Sequence, residues 1–479
     1  MNAQIASTFI LLSLSATAVS AQQPALNDRV AAAMPSKYEG ASCGIKPNHF
    51  KVSSGASYLK TSIETEVPEN KARSLGNGER VLLEAIKQNG QDKNPAAWYY
   101  LGRIYLRQGD LYHADSALTR AQALAPDCAK DIAGYRRAAW GALLNAGSKF
   151  EQEKNSDSAL AMFRQAGVIY PGSPRVYYGM ATILNDKGQT DSAAYYFGQA
   201  ASAGENATDT IDVQIRDRSA FNQAALLLNA KKYDEAAAAF ERYLKWNPKD
   251  VEAKRGLAGA YRGAGKVEQA QALEKELVAA GGAPSAAGAP PASQDLMAIG
   301  VNFYNEKKYP DAAAAFEKVV ASEPYNRDAL SNLSNTYLAM KNGAKLAETA
   351  TKLVAIEPLS ENALKLLGEG YKQAGKVDQA VKTAEQVLAL PADVKASNFV
   401  VSAGDATLTL SASGRAAQTP SGKAIPPTPV AIEVEFLNAA GGVVATQEAQ
   451  IPALKSGASQ EIPVAGKGSG ITAWRYRRK

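Results

Sequence analysis

Histidine and cysteine are almost missing from this 479-residue chain, which holds two of each. That scarcity removes most of the chemistry proteins build from these residues. There is no His-rich metal spacing, no C-x-x-C, no Gly-rich loop ending in Gly-Lys-Ser/Thr, and no G-x-S-x-G turn. His113 stands in LYHADSAL beside Asp115 and Ser116. Neighbouring helix positions point in different directions, so these three form no triad and His113 reads as a surface residue. His49 lies in an irregular stretch and reads as structural. The carboxylates are scattered over helix faces. With no convergent acid, base or nucleophile set, the sequence predicts neither an enzyme, a metal site nor a cofactor.

Charge of one sign is also scarce. Lys and Arg number 53 against 47 Asp and Glu, a formal +6, too mild for a nucleic-acid footprint. Part of the excess is the terminal group Arg475, Arg477, Arg478 and Lys479. It reads as a solvated end, with contact to an anionic envelope surface as the functional alternative. The apolar (46%) and charged (21%) fractions are those of a folded chain. After the first twenty or so residues no run is apolar enough to cross a bilayer.

Those first residues, MNAQIASTFILLSLSATAVSA, carry no charged side chain; the first is Asp28. A short apolar stretch and Val19-Ser20-Ala21 resemble a secretory signal peptide, residues 1–21, cut after Ala21. A retained anchor is the competing reading, and the run is short and Ser-rich for one. Export places the chain in the periplasm, on the outer surface or outside the cell. There Cys43 and Cys128 sit in an oxidising space, where an even count allows one bridge, worth roughly 4 kcal/mol in the chain-entropy model.

The chain also repeats itself. KKYDEAAAAFERYLKWNP (231–248) returns as KKYPDAAAAFEKVVASEP (307–324). In the stretch from Asn94 to Asp127, Trp98, Leu101, Gly102 and Tyr105 share one helix face, and Gly109-Asp110 breaks the helix. Ala114, Leu118 and Ala121 then mark the inner face of a second helix, which Pro126 stops. Small residues at Gly102 and Ala114 let the two helices approach, and larger side chains fill the remaining volume. The W-x₂-LG-x₂-Y…A-x₃-L-x₂-A…P pattern resembles the tetratricopeptide repeat (TPR), whose period is 34 residues. The frame recurs eight times between about residues 95 and 394, marked by Gly147/Phe163, Met180/Phe197, Ala224/Phe240, Leu257/Ala270, Gly300/Phe316, Leu333/Leu353 and Gly368/Ala380 after the first unit. Smaller inserts follow the first and third units. The resemblance implies a mainly α fold, a TPR α-α superhelical solenoid, in two blocks: 95–280 and 294–394. Between them the Pro/Gly/Ala text of 281–293 reads as a linker. Residues 22–94 read as an irregular lead followed by a helical cap.

From about Asn398 the period changes to alternation, predicting six strands and a small β-sandwich over 398–479. The order I-x-V-x-F-x-N…G…W-x-Y is similar to the small Ig-like domains of exported bacterial proteins, including the FxLYD type. Ile432, Val434, Phe436, Trp474 and Tyr476 are its expected inward set.

In tetratricopeptide proteins the first helix of each repeat lines a concave face that holds a peptide. Carried over by position, the resemblance implies a lining of Tyr99, Arg103, Arg107, Tyr178, Thr182, Asn185, Arg255, Arg262, Tyr304, Asn335, Lys365 and Lys372. That mixture of rings and cations suits an extended partner segment with acidic groups. The function expected is a non-catalytic scaffold or adaptor of the bacterial cell envelope. The alternative is a carrier or structural component of surface assembly or polysaccharide export, with a β-domain that contacts glycan or membrane.

Overall fold

A computed structural model describes residues 23–281, 293–402 and 404–479, and side chains from residue 28 onward within the first of these ranges. The leader expected over 1–21 lies outside the described residues, as does the 281–293 segment apart from its two end residues. The chain divides into two compact units, Met1–Pro248 and Lys249–Lys479.

The first unit holds α1 (Gln23–Ala33), α2 (Phe50–Glu64), α3 (Pro68–Gln88), α4 (Pro95–Gln108), α5 (Leu111–Leu124), α6 (Ala129–Gln152), α7 (Ser156–Ile169), α8 (Pro174–Asp186), α9 (Thr190–Ala203), α10 (Thr210–Asn229) and α11 (Tyr233–Trp246). The second holds α12 (Val251–Gly263), α13 (Val267–Ala280), α14 (Ser293–Asn305), α15 (Tyr309–Ser322), α16 (Arg327–Ala339), α17 (Gly343–Ile356), α18 (Glu361–Gln373) and α19 (Val377–Ala389), then six strands. From α4 to α19 the helices pair consecutively into eight αα-hairpins among the described residues. The inserts after the first and third units are absorbed as extra turns: α6 has 24 residues and α10 has 20, against 13 or 14 for the other helices of the pairs.

Local chemistry sets where each helix starts and stops. Asn94, Asp209, Asp250, Asn326 and Ser360 precede first helices, and each side chain accepts a backbone N–H of the first turn. Pro126, Pro171, Pro248, Pro324 and Pro358 each stand two residues beyond a second helix, where the chain must leave helical geometry. Between the two helices of every pair one residue adopts a left-handed conformation. It is glycine at 109, 188, 265 and 375, and lysine at 154, 231, 307 and 341, with φ of 55–61° for the lysines. The twin KKY phrases therefore open with a lysine where glycine is the low-energy choice.

Three of the eight pairs close through glycine. A Cβ placed on Gly147 would meet the Phe163 ring at 2.5 Å, and one on Gly300 the Phe316 ring at 2.5 Å. Gly102 stands in the same relation to Leu118, at 2.7 Å. The α2–α3 pair uses the same device, with Gly55 under Leu82 at 2.4 Å. Phe163 and Phe316 are buried, so each plug is a large apolar side chain seated on bare backbone.

The C-terminal strands are β1 (Ala392–Ser402), β2 (Asp405–Gly414), β3 (Val430–Asn438), β4 (Val443–Ile451), β5 (Ser459–Lys467) and β6 (Ile471–Arg478). They form two three-stranded antiparallel sheets, β1-β2-β5 and β4-β3-β6. Gly466 of β5 lies against the Phe436 ring of β3, joining the sheets. Ile432, Val434, Phe436, Trp474 and Tyr476 are all buried. The first strand begins at Ala392 rather than near Asn398, because it is tied to the last repeats. Val394 N–H donates to Leu359 O at 3.0 Å, and the Tyr476 hydroxyl donates to Val394 O at 2.9 Å while accepting Leu359 N–H at 3.3 Å. Asp393 accepts Glu361 N–H at 2.7 Å, and Arg415 pairs with Glu361 at 2.9 Å. One apolar core runs from Leu277 through α14–α18 into both sheets, so within this unit the strands seal the end of the helix stack.

Gly147→Ala and Gly300→Ala are each expected to cost about 1–3 kcal/mol by overpacking. Gly368→Ala, whose Cβ would lie 3.6 Å from Thr383 Cγ2, is expected to be neutral or to stabilise by up to about 1 kcal/mol. Urea midpoints at unchanged slope read all three, and equal losses at the three sites would contradict the plug geometry. Lys231→Gly and Lys307→Gly are expected to raise the same midpoints, by about 1 kcal/mol each, since relief of left-handed strain exceeds glycine's entropy cost. A loss of stability in either lysine variant would contradict that assignment.

Candidate functional site

On α4, Tyr99, Arg103 and Arg107 recur every four residues and so form one stripe. In the structure this stripe is covered. The segment joining α1 to α2, residues 34–49, lies along it, and α1 packs on α4 and α6. Arg103 donates to Glu39 O at 2.8 Å, and Arg107 donates to Pro35 O at 2.6 Å. The Arg103 guanidinium also faces three rings, with its carbon 4.6 Å from Tyr135, 5.4 Å from Tyr99 and 5.7 Å from Tyr38. The Tyr99 hydroxyl donates to Asp131 at 2.6 Å, and Ser42 N–H donates to the same carboxylate at 3.3 Å. A disulfide joins Cys43 to Cys128, just ahead of α6.

Tyr99 is 0% and Arg103 2% exposed. These two are therefore not open lining in this structure, and Arg107 is only half-exposed; the reason is that the chain's own lead covers them. Burial pushes the Tyr99 and Tyr135 hydroxyls above their usual range. Burial, with the neighbouring Arg103 charge, pushes Arg107 down to about 10. Two crowded guanidinium groups under a lid need acceptors, and the lid supplies backbone carbonyls rather than carboxylates. Arg103 Nη2 is buried and makes no hydrogen bond to the described residues.

The next first helix, α8, is open. Asn185 is exposed and Tyr178 and Thr182 are half-buried. Tyr178 packs edge-on to Phe197 at 5.8 Å, and its hydroxyl accepts from Arg218 at 3.4 Å. Thr182 donates to Gly179 O at 3.0 Å. Beside it, burial raises the Glu151 carboxyl above its ordinary value.

In the second unit the cationic members of the expected lining are already matched. Arg255 binds both oxygens of Asp295, at 2.9 and 2.7 Å. Arg262 grips Glu274 through two bonds of 2.5 Å and Glu306 through one of 2.6 Å. Lys365 pairs with Glu361 at 2.7 Å, and Lys372 with Glu369 at 3.5 Å. Tyr304 packs edge-on to Tyr309 at 5.5 Å, and Asn335 donates to Ser331 O within its own helix. The structure thus gathers Tyr99, Arg103 and Arg107 at one place and Tyr178, Thr182 and Asn185 at another. The six residues of the second unit are spread over α12, α14, α16 and α18.

Sequence reasoning missed Tyr38, Glu39, Asp131 and Tyr135. The last two lie in the extra N-terminal turns of α6, outside the repeating frame, and the only sequence signal beside them was Cys128. Among the described residues no group of three or more His, Cys, Asp or Glu could hold a metal ion, and no helix is long and apolar enough to cross a membrane. His113 contacts Asp110 at 2.7 Å on the surface.

Arg262→Ala leaves Glu274, whose side chain is 3% exposed, facing Glu306 without a cation. The expected cost is roughly 2–3 kcal/mol in the urea midpoint, at the low side for breaking a buried pair because Arg262 is itself partly exposed. A change within about 0.5 kcal/mol would show the triad to be a surface ornament.

Three segments match the tetratricopeptide repeat family: residues 95–128, 227–289 and 363–395. No curated protein matches the chain in sequence. Similar solved structures include MamA 41-end from Desulfovibrio magneticus RS-1, 19% identical over 38% of this chain and 93% of that one, with a TM-score of 0.29. An ArsTM double mutant of MamA RS-1 is 19% identical over 38% and 93%, TM-score 0.30, and a further MamA crystal structure is 21% identical over 36% and 90%, TM-score 0.28. Scores of this size carry no argument about arrangement or partners. The three matched segments and the shared hairpin frame do carry one: the chain contains tetratricopeptide repeats and ends in a six-stranded β region.

Proposed function

We propose that this protein is a non-catalytic scaffold of the bacterial cell envelope that holds an extended segment of a partner protein against the first helices of its repeats. The observation that carries the reading is the lead segment on α4. There the repeat face grips an irregular stretch of chain through two arginine–carbonyl bonds and one ring. Those features are common to many peptides, and a preformed face loses little entropy on ordering one.

The open surface for a partner in trans is α8, with Tyr178, Thr182 and Asn185. Because Arg255, Arg262, Lys365 and Lys372 are neutralised in place, the favoured partner is read by its backbone and by an aromatic ring more than by acidic groups. The β region serves as the cap of the last repeats, a role supported by its bonds to Leu359 and Glu361. Export is part of the proposal, motivated by residues 1–21 and by the cystine.

The test is capture from envelope extract by the full mature chain, compared with a Tyr178→Ala/Asn185→Ala variant of unchanged helicity. Loss of the captured protein in the variant is expected. Undiminished capture, or capture by the β region alone, would contradict the reading. N-terminal sequencing of the exported protein is expected to begin at Gln22, and an intact Met1 in the membrane fraction would remove the export claim.

A further inference from the structure

The connection between α1 and α2 is held as a ligand is held. Its backbone is gripped at two points, where Arg107 takes Pro35 O and Arg103 takes Glu39 O, while Tyr38, Ala41, Cys43 and Ile45 rest on the apolar core and Tyr38 offers its ring to the guanidinium. Tyr100 lies beside Tyr38 and Ala41, and burial pushes its hydroxyl up to about 12. The outer side of the segment is free, since a Cβ built on Gly40 or Gly44 would meet nothing within 4 Å. Beneath it, the buried Arg103 Nη2 lacks an acceptor, so the stripe can make one more bond than the lead provides.

We propose that the face of α4 and α6 is a binding site for an extended, tyrosine-bearing peptide, occupied in cis by residues 35–45, and that the Cys43–Cys128 disulfide is the latch holding that occupant in place. This deepens the scaffold reading and rests on it. The ligand it takes presents a carbonyl, a tyrosine ring three residues later, and a carbonyl on the residue after that ring. An added acceptor beside the ring satisfies Arg103 Nη2.

The latch opens by thiol–disulfide exchange with a dithiol. Cys128 is fully buried and Cys43 is half-buried, so the attacking thiolate bonds to Cys43 Sγ and Cys128 leaves as a thiolate. The second thiol of the reagent then closes on the first, releasing Cys43. Two electrons and two protons pass to the protein, and the dithiol becomes a disulfide. The freed segment stays anchored by α1 and α2, at an effective concentration on the order of millimolar. Opening the latch therefore lowers the threshold for exchange rather than emptying the site.

The test uses the full mature chain in three forms: oxidised, C43S/C128S, and C43S/C128S/Y38A. The probe is a labelled synthetic peptide of residues 34–46 with serine at position 43. Hydrogen exchange across 35–45 is expected to quicken at least tenfold in C43S/C128S, with α8 and α9 unchanged. The probe is expected to bind the triple variant saturably, to ignore the oxidised chain, and to lose at least fivefold in affinity when Arg107→Gln is added. Unchanged exchange at 35–45 would overturn the latch, as would equal loss of protection in α8 and α9. A folded triple variant that fails to bind the probe would overturn the site. If capture through α8 persists in that case, the scaffold reading survives; if both fail, the reading falls with it.

Discussion

A large apolar side chain resting on a neighbouring helix's glycine is the contact that closes three of the eight helix pairs between α4 and α19. Phe163 sits between Gly147 and Gly179, Phe316 sits on Gly300, and Leu118 on Gly102. Each ring or branched tip fills the space a methyl group would claim, which lets two helix axes approach and buries the alanines around them. Ala114, Ala159, Ala193, Ala236, Ala270 and Ala312 are all fully buried at the matching position of the second helices. The plug and its seat must arrive in register, and that requirement makes the sequence periodic. Where the plug shrinks to Thr383, the seat at Gly368 is loose.

This periodic part was legible in the sequence because its causes are local. The Pro stops, the small residues and the aromatic plugs repeat at fixed offsets, and the alternation of β3 and β6 marked Phe436 and Trp474 as inward. Two things were not legible. Lysine in a left-handed turn has no compositional signature, so the positive φ of Lys231 and Lys307 came only from the fold. The placement of residues 35–45 depends on contacts reaching across 64 residues to Arg103 and 72 to Arg107, which no local pattern encodes. The lining positions on α4 were read from the family frame, yet their occupant could come only from the fold.

The same limit explains the charge. Sequence position made Arg255, Arg262, Lys365 and Lys372 look like a cationic face awaiting an acidic partner. The carboxylates of the two arginines, Asp295, Glu274 and Glu306, lie up to 44 residues away and arrive only through helix packing, whereas Lys365 and Lys372 pair within α18 with Glu361 and Glu369, four and three residues before them. Pairing in place removes most of the attraction such a face would exert at a distance. What remains for recognition is shape, rings and backbone, the terms by which α4 already holds the lead segment.

The seat-and-plug contact is tested most directly by a double-mutant cycle at Gly147 and Phe163, read from urea unfolding of the full mature chain. Phe163→Ala opens a cavity and Gly147→Ala overfills the seat, so the added methyl group should partly fill the space the ring vacates. The account predicts that the double variant is more stable than the sum of the two single losses by about 1 kcal/mol or more. Strict additivity would mean that the two residues do not share a contact, and the packing described here would be wrong.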